Sequence, residues 1–155
     1  MRRSILLLCA LLGGCATPTL SPSQFAIVET HYGLYSRMGQ TNEMVHARET
    51  MKLPCAADAL FGVDLEFQYS IDRRMKLPVV AEWRQPPVPG VRPAVVRFLP
   101  DPYYVVPGKF VPKLQAVVGF DSEKDLVDGD YEIRLFNPAD NHLYYSRTFV
   151  LEDCR

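Results

Sequence analysis

The stretch LFGVDLEFQYSI, residues 60–71, decides the fold class of this chain. From Phe61 onward, apolar or aromatic side chains occupy the odd-numbered positions, and glycine or polar residues occupy the even-numbered ones. Successive side chains of a β-strand point to opposite faces of its sheet, so a period of two residues indicates a strand with one buried face. We therefore predict a central strand whose odd-numbered side chains face the core: Phe61, Val63, Leu65, Phe67, Tyr69 and Ile71.

Shorter strands surround this central one. The chain has 13 prolines and nine glycines, which favour turns and short strands over long helices. Runs of β-branched and aromatic residues lie between these turns and predict six further strands, with a charged turn and a proline-rich loop among the connections. The strands are predicted over 25–36, 78–85, 94–99, 112–120, 131–136 and 142–151, the turn over 72–76 and the loop over 100–107. Seven or eight short strands, with turns about every 8–12 residues, predict an all-β, antiparallel sandwich.

Three positions carry more specific expectations. The first strand should bulge near Gly33, since a glycine inside a strand often marks a bulge. The strand that contains Trp83 should bury this side chain and turn Glu82 to the opposite face; the alternative is that Trp83 serves as a platform for a ligand. Residues 38–57 leave two interpretations open, an irregular edge strand over 44–53 or a short helix.

The stretch LVDGDYEI, residues 126–133, resembles the corner before the penultimate strand of immunoglobulin-like domains. In that corner a leucine closes the end of the core, a glycine turns the chain and a tyrosine bonds back to the backbone. Leu126, Gly129 and Tyr131 match the pattern. The resemblance implies an immunoglobulin-like sandwich whose last two strands form a hairpin.

Residues 30–151 as a whole resemble a group of bacterial envelope proteins that share a domain of unknown function. Three stretches carry this resemblance: PVVAEWR at 78–84, VGF at 118–120, and residues 126–133 once more. The resemblance implies the same sandwich fold. It implies no activity, because the group has none that is characterised.

The N-terminal sequence has the features of a secretory signal. Two arginines follow Met1, and the apolar run over 4–12 is far shorter than the roughly 20 residues that span a bilayer as a helix. The next residues, LGGC at 12–15, resemble the lipobox of bacterial lipoproteins. That resemblance implies cleavage before Cys15 and a diacylglyceryl thioether on its sulfur. The alternative is a plain secretory signal that is cut near Ala16.

This signal sets the expected domain organisation and location. Residues 1–14 are expected to be the signal peptide, 15–24 the lipidated cysteine with a flexible tether, and 25–155 one β-sandwich domain. Acylation of Cys15 by two or more chains gives stable anchoring. By the sorting rules of such lipoproteins, the absence of aspartate after the cysteine favours the outer membrane. We expect a lipid-anchored protein that faces the periplasm, with the membrane as one partner.

The remaining cysteines predict a disulfide. Cys9 leaves with the signal and Cys15 takes the lipid, so Cys55 and Cys154 remain as an even pair in an oxidising compartment. Their disulfide would close a loop of about 100 residues, worth roughly 4–5 kcal/mol in the chain-entropy model. The alternative is a pair of reduced structural thiols.

Charge and histidine placement exclude several function classes. The formal net charge of −1 becomes −3 once Arg2 and Arg3 leave with the signal, and no basic patch for nucleic acid is present. His31, His46 and His142 are scattered along the chain, and no Gly-x-Ser-x-Gly motif occurs. We assign no catalytic residue, no metal ligand and no cofactor.

One acidic loop, residues 121–130, leaves a calcium site open as an alternative. Oxygen-rich clusters can bind calcium, but this spacing does not follow the EF-hand pattern. Carboxylates that bond nearby backbone amides in a solvated turn are the simpler interpretation. The acidic residues of the loop are Asp121, Glu123, Asp125, Asp128 and Asp130.

Tyr103 and Tyr104 are the candidate partner-binding residues. They lie between prolines, and tyrosine on a stiff loop offers a large contact area at low ordering cost. The alternative is that both pack back onto the sandwich. We predict a non-enzymatic envelope lipoprotein whose sandwich binds a protein partner. The alternative function is the binding or sensing of a small or polymeric envelope ligand, and hydrolase activity is the third class.

Overall fold

The computed structural model describes residues 17–39, 43–87, 96–99, 103–108 and 113–154. These residues form two four-stranded antiparallel sheets and a two-stranded ribbon, which confirms the all-β sandwich. The strands are β1 (Phe25–Met38), β2 (Glu43–Arg48), β3 (Leu60–Tyr69), β4 (Met75–Leu77), β5 (Val80–Arg84), β6 (Val96–Arg97), β7 (Tyr103–Val105), β8 (Lys113–Gly119), β9 (Gly129–Phe136) and β10 (Leu143–Leu151). Single turns of 3-10 helix lie at Pro22–Gln24 and Glu123–Asp125.

The sheets have simple orders. The first sheet runs β2-β1-β3-β8, the second runs β10-β9-β5-β6, and β4 pairs with β7 in the separate ribbon. The described residues thus form ten strands, against the seven or eight that we predicted. β4 and β7 are among the additional ones: two of the three residues of β4 lie in the predicted turn at 72–76, and all three residues of β7 lie in the predicted loop at 100–107. A strand that short has no readable period.

The predicted alternation of β3 is confirmed. Its inward side chains are at most 1% exposed, whereas Gln68 on the opposite face is exposed and the other outward polar residues are half-buried. The strand ends at Tyr69, so Tyr69 and Ile71 are only half-buried. The inward set, which packs with core residues of the second sheet, is Phe61, Val63, Leu65 and Phe67.

Glu82 departs from the expected two-faced pattern of β5. Trp83 is 2% exposed, as expected for a core residue, but Glu82 on the other face is only 8% exposed. In register, Glu82 lies between Arg97 of β6 and Arg134 of β9, whose long side chains flank it. The guanidinium of Arg97 is 3.6 Å from the carboxylate of Glu82 and offsets the cost of burying its charge.

The first strand bulges where a glycine allows it. The register of β1 shifts between Glu29 and His31 and again between Leu34 and Tyr35, so the predicted irregularity around Gly33 is confirmed. Gly33 has φ +125°, and a Cβ atom there would lie 2.1 Å from the carbonyl oxygen of Arg48. Only glycine fits this close approach.

Residues 43–57, part of the segment that the sequence left ambiguous, contain an edge strand and no helix. β2 is an edge strand over Glu43–Arg48, shorter than the predicted strand at 44–53. Residues 51–53 run beside β10 instead: the amide of Leu53 donates to the carbonyl of Val150 (2.9 Å), and the amide of Val150 donates to the carbonyl of Met51 (2.8 Å). These bonds cover part of an otherwise open sheet edge.

The predicted disulfide is confirmed. Cys55 is bonded to Cys154, with 5.3 Å between their Cα atoms and a sequence separation of 99 residues. It joins the segment before β3, which begins at Leu60, to the chain just after β10, which ends at Leu151. The two sheets are therefore linked covalently at one end.

The N-terminal segment is not a free tether over its described length. The amide of Lys76 donates to the carbonyl of Pro18 (2.7 Å), and the amide of Leu20 donates to the carbonyl of Lys76 (2.9 Å). The Leu20 side chain is 1% exposed. A flexible tether through Gln24 was expected, but residues 18–20 are docked on the domain because Leu20 completes the core beside β4.

Candidate interaction surfaces

The sandwich has two distinct ends. We call the end at which β3 finishes, beside the β4–β7 ribbon, the ribbon end. We call the opposite end, at which β3 and β9 begin, the corner end. A strand rises about 3.3 Å per residue, so the length of β3 separates the two ends by roughly 30 Å.

The structure separates the two tyrosines that the sequence paired as binding candidates. Tyr103 points inward, where its ring centroid lies 6.4 Å from that of Phe67. Tyr104 points outward and is 38% exposed, with the guanidinium carbon of Arg74 4.3 Å from its ring centroid. Tyr104 is therefore the more exposed of the pair and Tyr103 is half-buried, because neighbouring residues of a strand face opposite sides.

Tyr104 belongs to a continuous surface that we call the ribbon face. Lys76 lies opposite Tyr104 in the ribbon, and Thr19 forms a parallel bridge with Lys76. Val106 continues the face and is 58% exposed. The ribbon face is thus cationic, aromatic and apolar, and consists of Thr19, Arg74, Lys76, Tyr104 and Val106.

The corner end contains the tyrosine corner that the sequence implied. The hydroxyl of Tyr131 donates to the carbonyl of Val127 at 2.9 Å and accepts from the amide of the same residue at 3.3 Å. Leu126 is 7% exposed and closes the core. Gly129 has φ +135°, a conformation that favours glycine, and a Cβ atom there would lie 3.0 Å from Pro86.

Two depressions flank Phe120 and Asp121 at this end. The smaller one, which we call the corner cleft, has a volume of about 320 Å³ and an aromatic floor with a polar rim. The wider one is an open groove of about 650 Å³ beside Tyr35 and Arg37. The corner cleft is lined by Phe61, Trp83, Gln85, Val96, Val118, Gly119, Phe120, Asp121, Asp125 and Tyr131.

The acidic loop bonds to its own surroundings. The Asp125 carboxylate accepts from the Ser122 hydroxyl at 2.9 Å, and the Asp128 carboxylate accepts from the amide of Cys154 at 3.2 Å. Within the described part of the chain, no three side chains of His, Cys, Asp or Glu are grouped so that they could hold a metal ion.

Two of the histidines that look scattered in sequence are neighbours in the fold. The rings of His31 and His46 stack with centroids 4.8 Å apart, because the β1–β2 hairpin brings them together. His46 Nε2 lies 3.0 Å from the carbonyl oxygen of Tyr32, which requires this nitrogen to carry its proton. His142 lies apart from them, 5.1 Å from the ring of Tyr144.

A charged network between the two sheets was not predicted. Glu29 of β1 points inward and accepts hydrogen bonds from the hydroxyl of Tyr145 and, at 2.9 Å, from Nε of Arg147 on β10. The guanidinium of Arg147 also lies 4.4 Å from the ring centroid of Tyr32. Burial and the nearby Glu29 raise the pKa of the Tyr145 phenol, and the hydrogen bond to Glu29 raises the pKa of Arg147. The signal in the sequence was Glu29 itself, in register with the inward residues Phe25 and Ile27.

The membrane anchor lies outside the described residues. Cys15 and the lipobox-like stretch before it precede residue 17, at which the description begins. None of the helices found in the described ranges is long and apolar enough to cross a membrane.

Comparison with known proteins supports the fold. The chain resembles the crystal structure of an immunoglobulin-like protein from Pseudomonas aeruginosa, with a TM-score of 0.52 and 16% sequence identity. The match covers 83% of this chain and 97% of that one. No protein-family model and no curated protein matches the sequence, so the narrower resemblance to an envelope family gains no support. At this identity the likeness shows the fold alone: an immunoglobulin-like, antiparallel β-sandwich.

Proposed function

We propose that this chain is a non-enzymatic lipoprotein of the cell envelope whose sandwich binds a protein partner. Lipid on Cys15 would hold it at the outer membrane, facing the periplasm. The observation that carries the proposal is the corner cleft, an open aromatic depression with carboxylates on its rim. It lies at the end opposite the N-terminal segment, where a partner can reach it.

The chemistry of the cleft favours a basic partner segment. The rings of Phe120 and Tyr131 line the floor of the cleft and are 7% and 3% exposed, and Asp121 offers a carboxylate that is exposed at the rim. Arginine and lysine side chains bind to such a combination through cation–π contacts and charge-assisted hydrogen bonds. Interfaces draw most of their binding energy from a few aromatic and arginine contacts of this kind.

Site-specific crosslinking in intact cells tests the partner. A photoreactive amino acid at Gln85, which is exposed at the cleft, should capture one discrete protein. Asp121→Lys should abolish the adduct, because it reverses the charge at the rim. Asp72→Lys makes the same charge change at the ribbon end and should leave the adduct intact. Equal amounts of adduct in both variants would contradict the proposal that the partner binds at the corner cleft.

The anchor needs its own test. The native chain should partition into the detergent phase, and its mature N-terminus should have the mass of an acylated cysteine at Cys15. Cys15→Ser should yield an uncleaved or soluble protein. Partitioning that Cys15→Ser does not change would sink the lipoprotein proposal while leaving the partner experiment interpretable.

A small ligand is the second candidate, favoured by the volume of the same cleft. About 320 Å³ lies at the lower end of the range for small-molecule sites. Trp83 is the only tryptophan of the chain and lines the cleft, so its emission should report occupancy. A saturable change in emission with a small aromatic amine, lost in Asp121→Lys, would favour this candidate. An unchanged spectrum up to millimolar amine would exclude this class of ligand.

A further inference from the structure

We propose that the ribbon face docks on the anionic phospholipid headgroups of the bilayer that holds the lipid on Cys15. The docked sandwich would then stand upright, with the corner cleft turned away from the membrane. This inference rests on the proposed anchor at Cys15. It replaces the expected role of Tyr104 in binding a protein with a role in binding lipid.

The first argument is the length of the chain between the anchor and the domain. Pro18 is fixed by its hydrogen bond to Lys76, so three residue steps connect this fixed point to Cys15. A fully extended chain spans at most about 3.5 Å per residue, which limits the distance to roughly 10 Å. The nine-residue tether that we expected would have allowed about 30 Å. The docked N-terminal segment removes most of that freedom and brings Lys76 close to the bilayer surface.

The second argument is the charge of this end. Arg73 and Arg74 are exposed and Lys76 is half-buried on β4, against the single carboxylate of Asp72. This short stretch is therefore cationic in a chain that is acidic once the signal is removed. Cationic side chains beside a membrane anchor are attracted to anionic headgroups within about a Debye length.

The third argument is the side chains around these charges. Tyr104 has an aromatic ring beneath the guanidinium of Arg74, and Val106 is exposed beside it. Tyrosine is favoured at the boundary between headgroups and acyl chains because its ring is apolar and its hydroxyl is polar. Exposed apolar surface next to basic residues is also the composition of segments that lie on membranes.

The opposite end supports the same orientation by its charge. The acidic loop places five carboxylates at the corner end, and Lys124 is the only cation in that loop. Anionic headgroups repel such a surface. The stretch 72–76 and the acidic loop therefore carry opposite charge, as an upright orientation on an anionic bilayer requires.

Depth-dependent quenching tests the proposal on the lipidated, full mature chain. We would reconstitute Tyr104→Trp into vesicles of phosphatidylcholine and phosphatidylglycerol in equal parts, with a spin-labelled lipid as quencher. Glu123→Trp, in the exposed acidic loop, is the matched reporter at the other end. Native Trp83, which is buried, gives the common background. We expect strong quenching of the indole at position 104 and background quenching at 123.

Charge variants then test headgroup recognition in the Tyr104→Trp chain. Each Lys or Arg near an anionic surface shifts the equilibrium constant for docking about fivefold, so Arg74→Gln with Lys76→Gln should lower that constant about 25-fold. Arg84→Gln with Lys124→Gln removes the same charge elsewhere and should change little. High salt and vesicles of phosphatidylcholine alone should also reduce the quenching.

The outcomes separate the two proposals. A mature chain whose mass lacks the acyl groups would overturn both the anchor and this inference. A lipidated chain with equal quenching at 104 and 123 would overturn the docking alone. If neither the vesicle composition nor Arg74→Gln with Lys76→Gln changed the quenching at position 104, recognition of anionic headgroups would be overturned. Capture of a protein, in place of lipid, by a photoreactive group at position 104 would return Tyr104 to partner binding.

Discussion

The corner end and the ribbon end of this sandwich are held together by different means. At the corner end, a disulfide joins Cys55 to Cys154, and the ring of Phe61 contacts four other aromatic rings. At the ribbon end, two three-residue strands and the segment at residues 18–20 pair through a few backbone bonds. The four rings around Phe61 are Trp83, Phe120, Tyr131 and Phe149.

This difference separates the proposed binding end, which is held by long-range contacts, from a surface built of short local pieces. Aromatic contacts around Phe61 hold the floor of the corner cleft, so the proposed partner would meet a preformed shape. The ribbon face instead depends on the packing of Leu20 and on the bridge between Thr19 and Lys76. The geometry of the ribbon face therefore depends on how the N-terminal segment docks, and this segment is the one that leads to the proposed anchor at Cys15.

Removal of the disulfide should strongly destabilise the domain. In the chain-entropy model, a loop of this length contributes about 4–5 kcal/mol, and native disulfides of small secreted domains typically contribute about 2–5 kcal/mol. We expect Cys55→Ala with Cys154→Ala to lose about 3–5 kcal/mol in urea unfolding of the chain that lacks residues 1–15. The reduced native domain should lose a similar amount. A loss below about 1 kcal/mol would mean that the corner end is held by packing alone.

Two phenylalanines on one strand compare the ends directly. Phe61 lies at the corner end and Phe67 at the ribbon end, and each is 1% exposed. Phe61→Ala and Phe67→Ala should each cost about 3–5 kcal/mol through lost burial and a cavity. Phe61→Ala should cost more, because it also removes four aromatic pairs where Phe67→Ala removes one, each worth about 0.5–1.5 kcal/mol.

Gln68→Ala is the matched control on the exposed face of the same strand. It should change the free energy of unfolding by no more than about 0.5 kcal/mol. A loss at Gln68 as large as that at Phe67 would contradict the alternation of β3. A larger loss at Phe67 than at Phe61 would reverse the proposed difference between the ends.

Tyr131→Phe tests the corner itself with a single atom. The hydroxyl bonds to the backbone of Val127, and a hydrogen bond of this kind contributes about 1 kcal/mol. Tyr104→Phe removes the same atom from an exposed ring of the ribbon face and should cost less than about 0.5 kcal/mol. Urea unfolding of both variants gives the comparison, and equal losses would show that the corner bond contributes nothing specific.

The sequence predicted those parts of the fold that repeat or that match a short pattern. The alternation from Phe61 to Phe67 and the residues Leu126, Gly129 and Tyr131 sufficed for the sandwich and its corner. β4 was missed because three residues show no period, and its pairing with residues 18–20 depends on Leu20 filling a gap in the core. A leucine in a segment rich in proline, serine and threonine carries no local signal of that role.

The candidate surfaces were less predictable because they combine distant segments. The corner cleft brings together residues from Phe61 to Tyr131, and no motif marks such a set. Tyr104 was a binding candidate and is exposed, but its contact with Arg74 depends on the ribbon. Glu29 and Arg147 meet because β1 and β10 face each other across the two sheets. The alternation along each strand predicts whether a side chain points inward, but it does not predict which side chain of the other sheet it meets.

The smallest expected effect compares the two ends at alkaline pH. Burial, followed by the nearby Asp64, raises the pKa of Tyr35 at the corner end well above its ordinary value of 10.0, whereas burial raises that of Tyr69 at the ribbon end less. A phenol that stays protonated in the folded state but ionises in the unfolded chain stabilises the fold fully below pH 10, and the contribution is lost as the pH rises toward the folded pKa.

By linkage, the ionisation of Tyr35 in the unfolded chain should account for about 0.8 kcal/mol of lost stability at a pH of about 10.5. We therefore expect Tyr35→Phe to flatten the fall in stability between pH 9 and 10.5 by about that amount, and Tyr69→Phe to flatten it less. The other tyrosines titrate alike in both variants, so urea unfolding across this range isolates the difference. If Tyr69→Phe flattened the pH dependence of stability more than Tyr35→Phe did, the more tightly enclosed phenol would lie at the ribbon end. That result would contradict the proposed difference between the two ends.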